Sequence, residues 1–420
     1  MKKSYKMNLI AASAGLLTIG LAGSALAFHS GGVAECGGCH SMHSPAASGS
    51  FLLVGNDQSS TCLSCHEKAG DTGPSSYHIS TADVDMAGTV APLQRTPGGD
   101  FGWVKKTYNW TIRGNANTEA GDSHGHNIVA IDKGYAADVT NATAPGGTMP
   151  AGDLSCNSCH DPHGKYRTMS DGTVATTGAP IIGSGSYSSS AVPTTGQAVG
   201  VYRLLAGAGY ASTTTPGITF TGVPVAIAPS TYNRTEGTTQ TRVAYGVKAS
   251  GGNQQWGNWC ASCHGAMHSS GNYVHPVDQG LGSTIAGLYN SYVKSGDMTG
   301  VATSSYLTLA PFAQNTGDVA ALKANAKTDN SALAGPGSSD QVTCLSCHRA
   351  HASGFKSMLR WNNETDFIVY AGLYPDAANA GANYAMGRTA AEWQAAYYDR
   401  PATAFATHQR GLCNKCHAKD

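Results

Sequence analysis

Beyond residue 27 the chain has no apolar run approaching the roughly 20 residues that cross a bilayer, so no membrane-spanning helix is expected in the mature protein. Charge is scarce too, at 12% of 420 residues with 26 of each sign. Without a basic excess the sequence excludes nucleic-acid binding, which demands a positive surface. Long amphipathic periods are rare among its 53 glycines and abundant Ser, Thr and Ala, so the patterning of a large conventional core is missing. No cysteine lies outside one repeated motif, which leaves none to staple distant loops.

What is present starts with Lys2, Lys3 and Lys6, an apolar stretch from Leu9 to about Leu21, and the small-residue site Ala25-Leu26-Ala27. That order describes a secretory leader, so residues 1–27 are expected to be cut before Phe28, leaving residues 28–420 as a single domain. Ser and Gly dilute the apolar stretch, which argues against a retained anchor, and the cleavage site carries no cysteine for a lipid. Cleavage removes three lysines and leaves 23 basic against 26 acidic residues, an acidic mature chain.

The 12 cysteines form six Cys-x-x-Cys-His motifs: Cys36, Cys39 and His40; Cys62, Cys65 and His66; Cys156, Cys159 and His160; Cys260, Cys263 and His264; Cys344, Cys347 and His348; Cys413, Cys416 and His417. A disulfide scaffold scatters its cysteines to close loops, whereas here each pair is three residues apart and is followed at once by His. Six such histidines would arise by chance on the order of a few times in a billion. The motif is that of covalent haem c: two thiols add to the two vinyl groups, and the adjacent His reaches the iron. Six haem c groups are therefore expected, with the six motif histidines as proximal ligands. Each haem is a flat apolar body tied twice to the chain, supplying buried surface that the sequence lacks. The expected fold is irregular coil with a few short helices and minimal strand, wrapped around a haem stack.

Local signals are few. Ile285, Leu288, Tyr289, Tyr292 and Val293 share one helical face before Gly296. Thr389 and Glu392 have the spacing of a capping box, with Pro401 as the expected stop. Partial alternation over residues 218–227 suggests short strands, and the rest reads as loop.

The second ligand of each iron decides between a wire and an enzyme. Ten histidines remain: His29, His43, His78, His124, His126, His163, His268, His275, His351 and His408. His43, His163 and His351 each stand three residues after a proximal ligand. None can swing to the far face of the haem its neighbour binds, but each can reach a different haem and pin the two side by side. His268 follows His264 by four residues and shares its helical face. Met42 and Met267 are conceivable ligands, and would raise a potential that paired histidines keep low. A five-coordinate haem would instead permit reduction of a small oxyanion such as nitrite, although no proximal residue is altered in any motif. A monomeric periplasmic carrier is the other alternative.

Four stretches resemble the outer-membrane cytochrome S family of hexahaem cytochromes: Phe28-His29-Ser30-Gly31-Gly32-Val33-Ala34-Glu35-Cys36, Asp71-Thr72-Gly73-Pro74-Ser75-Ser76-Tyr77-His78, Cys159-His160-Asp161-Pro162-His163-Gly164-Lys165-Tyr166-Arg167 and Leu412-Cys413-Asn414-Lys415-Cys416-His417-Ala418-Lys419-Asp420. The resemblance spans nearly the whole mature chain and is weakest over residues 184–221 and 363–388. It implies two histidines on every iron, a continuous stack of alternating parallel and perpendicular haem pairs, and head-to-tail polymerisation into extracellular filaments that deliver electrons to external acceptors. It assigns His43, His78, His126, His163, His275 and His351 as distal ligands, with His43 reaching a haem of the adjacent subunit. His29 and His268 are reserves, while His124 and His408 are left as surface residues.

Overall fold

The computed structural model describes residues 36–417 except 44, 47–49, 68–72, 74, 75, 177–181, 184, 213–216, 248–254 and 270–273. The leader, its cleavage site and His29 are outside the described residues. Short helices punctuate a largely irregular backbone: α1 (Cys36–Cys39), α2 (Gln58–His66), α3 (Trp256–Ala261), α4 (Gly282–Ser291), α5 (Cys344–Cys347), α6 (Ala390–Ala396) and α7 (Asn414–His417).

The Thr389–Glu392 capping box closes as its spacing predicts. The Glu392 amide donates to Thr389 Oγ1 at 3.2 Å, and the Thr389 amide donates to Glu392 Oε2 at 2.9 Å. Helix α6 nevertheless stops well before Pro401, because Tyr398 and Asp399 take left-handed backbone at φ 58° and 59°. Helix α4 begins ahead of Ile285 and ends before Tyr292, which turns extended while its amide still reaches the Leu288 carbonyl.

Among the described residues, strand is confined to eight short segments of two to five residues, in keeping with the minimal strand expected. Of residues 218–227 only Val225–Ile227 is strand (β6 below). The hairpin β1 (Tyr108–Ile112) and β2 (Asn115–Glu119) turns at Arg113 and Gly114, φ 50° and 82°, the left-handed pair that a two-residue hairpin loop requires. Strands β3 (Arg167–Met169), β4 (Val174–Ala175) and β5 (Ala198–Gly200) form a second antiparallel sheet in the order β4-β3-β5. Strands β6 (Val225–Ile227), β7 (Ala244–Gly246) and β8 (Ala313–Gln314) form a third, with β7 and β8 parallel.

The protein core exceeds what the weak periodicity suggested. The described residues hold five apolar clusters, and the largest contains 17 buried residues, including Trp103, Tyr108, Phe355, Trp361, Trp393 and Tyr397. Large aromatic rings build these clusters, some from short elements, as Tyr108 from β1 and Trp393 from α6, and others, as Phe355 and Trp361, from irregular backbone, so burial is achieved without long helical or strand periods. Motif residues are anchored in them. Leu63, between Cys62 and Cys65, is fully buried against Phe101, Ile128 and Tyr135, and Leu345, between Cys344 and Cys347, packs with Trp256.

Candidate haem-binding site

Each motif occupies about one turn of helix, which sets its two sulfurs on one side. Local capping starts two of these turns: the amides of Ser155 and Thr343 donate to Ser158 Oγ and Ser346 Oγ, each at 3.0 Å. At α2 the Ser60 amide donates to the N-cap carboxylate of Asp57 at 2.7 Å. All 12 cysteines are free of disulfides. Burial, with the neighbouring thiols, pushes Cys159 and Cys347 up to about 12, so as free side chains these remain neutral thiols.

The motifs stand in single file. Cys39 interacts with Cys65, Cys62 with Cys156, Cys159 with Cys263, Cys260 with Cys344, and Cys347 with Cys413. Consecutive motifs are thus spatial neighbours from the first to the sixth. The thiols of Cys62 and Cys156, and those of Cys260 and Cys344, come within hydrogen-bonding reach.

Backbone carbonyls fix the proximal rings. Nδ1–H donates to the carbonyl of Phe51 from His40 (2.9 Å), Tyr77 from His66 (3.0 Å), Arg203 from His160 (2.8 Å), Pro145 from His264 (2.8 Å) and Ser357 from His348 (2.7 Å). A carbonyl can only accept, so these five rings carry their proton on Nδ1 and present the Nε2 lone pair to a metal. Free thiol pairs beside imidazoles locked in this tautomer suit covalent haem.

The first, third and fifth motifs share one further device that sequence reasoning missed. The accepting carbonyl belongs to a pair of left-handed residues, Phe51-Leu52, Arg203-Leu204 or Ser357-Met358, with φ between 53° and 58°. The next residue, Leu53, Leu205 or Leu359, bridges antiparallel to the proximal His. The amides of Ser41, Asp161 and Arg349 then donate to the carbonyls of Leu52, Leu204 and Met358. The recurring Leu-Leu or Met-Leu after each His-x-x-His motif was the available signal. These three motifs are built as repeats of one unit.

Three pairs of imidazoles face each other across gaps of matching size. Ring centroids are 6.4 Å apart for His160 and His351, 6.0 Å for His264 and His126, and 6.2 Å for His417 and His275. Two imidazoles on opposite sides of one metal, with metal–nitrogen bonds of about 2 Å, have centroids roughly 6.3 Å apart. His126 and His351 are also locked at Nδ1, by the carbonyls of Ala350 (2.7 Å) and Gly99 (3.3 Å). Their chains pair, with the His126 amide donating to the His351 carbonyl at 2.9 Å. Burial, aided by His160 and His264 respectively, pushes His351 down to about 3 and His126 to about 4, so both keep a lone pair at neutral pH.

The remaining candidates are placed differently. His78 is buried, with Nδ1 3.1 Å from Ser76 Oγ, whereas His43 and His163 are exposed. His268 Nε2 stands 3.7 Å from Asp278, and the Met42 and Met267 side chains are 78% and 61% exposed. His408 is exposed beside Phe367 and Tyr370.

His124 is not the surface residue expected, being fully buried. Nδ1 donates to the Trp103 carbonyl at 3.0 Å, and Nε2 is 2.6 Å from Glu119 Oε1, which also accepts from Arg388 Nη2 at 2.5 Å. Both ring nitrogens are engaged, so His124 offers no lone pair to iron. It helps to secure the segment that carries His126, since the Ser353 amide donates to the His124 carbonyl.

No family model matches the chain. It is 54% identical over 444 aligned positions to the C-type cytochrome OmcS of Geobacter sulfurreducens, covering the whole of both sequences. Two solved structures from that organism, described as OmcS nanowires by cryo-EM and as an outer membrane cytochrome S filament, match with a TM-score of 0.86 each. Their identities are 54% and 55%, over 94% of this chain and all of theirs. The fold class expected from the motifs, mostly coil templated around the attachment sites, is the fold those structures have. With six attachment motifs in single file and this likeness along its full length, the chain belongs to the OmcS family of c-type cytochromes.

Proposed function

We propose that this protein, exported by cleavage of residues 1–27, is an extracellular electron conductor that polymerises head to tail through six covalent haems and catalyses no reaction of its own. When bound, the haems supply the redox-active irons between which electrons pass. The observation that carries the reading is the set of opposed imidazoles at 6.0–6.4 Å, which leaves no room for substrate at three of six irons.

The repeat extends it to the others. His351 of the fifth motif stands opposite His160 of the third. The same offset of two motifs takes His163 of the third to His40 of the first. It takes His43 of the first to a motif two places earlier, which is the fifth motif of a preceding subunit. In the even motifs His126 faces His264 and His275 faces His417, which leaves His78 for His66. Every iron then has two histidines except the one over His348, which awaits His43 of the neighbouring copy. Assembly and completion of the electron path become one event. Filament likeness in the relatives' structures supports the homopolymer, and their description as nanowires supports an extracellular acceptor. Among the described residues no helix is long and apolar enough to cross a membrane.

His43→Ala should retain all haems, lose filaments and create one high-spin haem per subunit in electron paramagnetic resonance. His408→Ala should do neither. Stable, wholly low-spin filaments of His43→Ala would overturn the junction, and wild-type protein that stays monomeric when concentrated would favour a soluble carrier.

A further inference from the structure

The histidines that face His160 and His264 sit on one backbone device. Gly125 and Ala352 form an antiparallel bridge, and the two histidines flank it, His126 following Gly125 and His351 preceding Ala352. Across the bridge the His126 amide donates to the His351 carbonyl at 2.9 Å, and His126 Nδ1 donates to the Ala350 carbonyl at 2.7 Å. The ring facing His264 is therefore oriented by the very peptides that carry the ring facing His160. A shift of residues 350–352 displaces both.

His351 is held from two further sides. Its amide donates to the Gly98 carbonyl at 2.7 Å, and its ring stacks on Phe101 with centroids 4.6 Å apart. The bridge itself has no slack. A Cβ on Gly125 would stand 2.6 Å from both Ala352 Cβ and Val104 Cγ1, and 2.7 Å from the His351 carbonyl oxygen. Gly125 has φ −166°, extended backbone that any residue adopts, so it is the closeness of the opposite chain that requires glycine.

The buried Glu119–His124–Arg388 cluster fastens both chains of this bridge. On one side His124 Nε2 meets the Glu119 carboxylate, which accepts from Arg388 Nη2. On the other side Arg388 Nη2 donates to the Gly354 carbonyl at 2.9 Å. The Ser353 amide, donating to the His124 carbonyl at 2.9 Å, closes the loop between them.

We propose that the Gly125–Ala352 bridge, fastened by Arg388 as a positioning residue, holds the distal ligands of the third and fourth haems as one unit, so that neither histidine is released without loosening the other. This coupling rests on the assignment of His126 and His351 to iron proposed above. Opening either iron would change its axial ligation and with it its potential. Tying the two ligands keeps two successive steps of the electron path alike.

Carbon monoxide binds a reduced haem where the sixth position is free or readily freed, so its stoichiometry on reduced, haem-loaded protein counts such irons. Gly125→Ala, which alters neither imidazole, should add two carbon monoxide sites per subunit to the wild-type value. So should His351→Ala, although it deletes only one ligand, and so should Arg388→Met. Gly246→Ala brings a Cβ within 2.4 Å of the Thr316 carbonyl oxygen, in the third sheet, and should destabilise the protein without adding a site. One added site in His351→Ala, or fewer than two in Gly125→Ala or Arg388→Met, overturns the coupling. No added site in His351→Ala would mean that His351 is not a ligand, and the coupling then falls with the assignment. If Gly125→Ala and Arg388→Met do not fold, His351→Ala decides alone.

Discussion

Glu119→Gln removes the single negative charge from a buried knot that ties the end of the β1–β2 hairpin to the C-terminal region. The Glu119 carboxylate accepts from His124 and from Arg388, while Arg388 also donates to the Gly354 carbonyl at 2.9 Å and lies 3.9 Å over the Tyr108 ring. Burial acts to raise the carboxyl, but the hydrogen bonds from His124 and Arg388 outweigh it and hold the group at about 2, against an ordinary 4.5. That gap corresponds to about 3 kcal/mol of stability at neutral pH. Because the folded value lies below the unfolded one, the contribution is complete above about pH 4.5 and is lost as pH falls from there through about 2. The substitution also strands Arg388 without its counter-charge, for which a cost of about 3–5 kcal/mol is usual. Urea unfolding of haem-loaded wild type and Glu119→Gln, followed by far-UV circular dichroism, should show a stability difference of about 3 kcal/mol or more at pH 7 that shrinks markedly toward pH 2–3. A difference below about 1 kcal/mol at pH 7, or one independent of pH, would refute the buried ion-pair account.

Gly99 has φ 92°, and an added Cβ would stand 1.7 Å from the Ala352 carbonyl oxygen. Gly99→Ala should therefore part the segment holding His351, destabilise the protein by about 2 kcal/mol or more, and add a high-spin resonance, while a purely low-spin spectrum would show His351 undisturbed. Intact mass of denatured secreted protein should correspond to a chain beginning at Phe28 with six haem adducts; fewer adducts on fully matured protein would contradict covalent attachment at every motif.

The chemistry of this chain was more legible than its architecture. Cys-x-x-Cys-His is a covalent instruction confined to five residues, so its meaning survives without knowledge of the fold. The Thr389–Glu392 box was legible for the same reason. The β1–β2 hairpin could have been read from Tyr108, Trp110 and Ile112 alternating ahead of Arg113-Gly114, but a Gly-rich background hid it. Most of the aromatic core could not be read from periodicity, since Trp103, Phe355, Trp361 and Phe405 come from distant segments with no long helical or strand period, whereas Tyr292 was on the helical face that the sequence showed. His124 illustrates the remaining limit. Nothing in its local sequence distinguishes a histidine saturated by Trp103 and Glu119 from one that points to solvent, because both partners are supplied by the tertiary fold.

The central claim is that the electron path continues across subunits through His43. A cryo-EM reconstruction of filaments of this chain, at a resolution that separates imidazoles from haem, tests it most directly. The account predicts continuous density from the His43 ring of one copy to the iron over a neighbouring copy's His348, and two histidines on every other iron. A sixth ligand to that iron drawn from its own chain, or an open position there in the assembled filament, would contradict it.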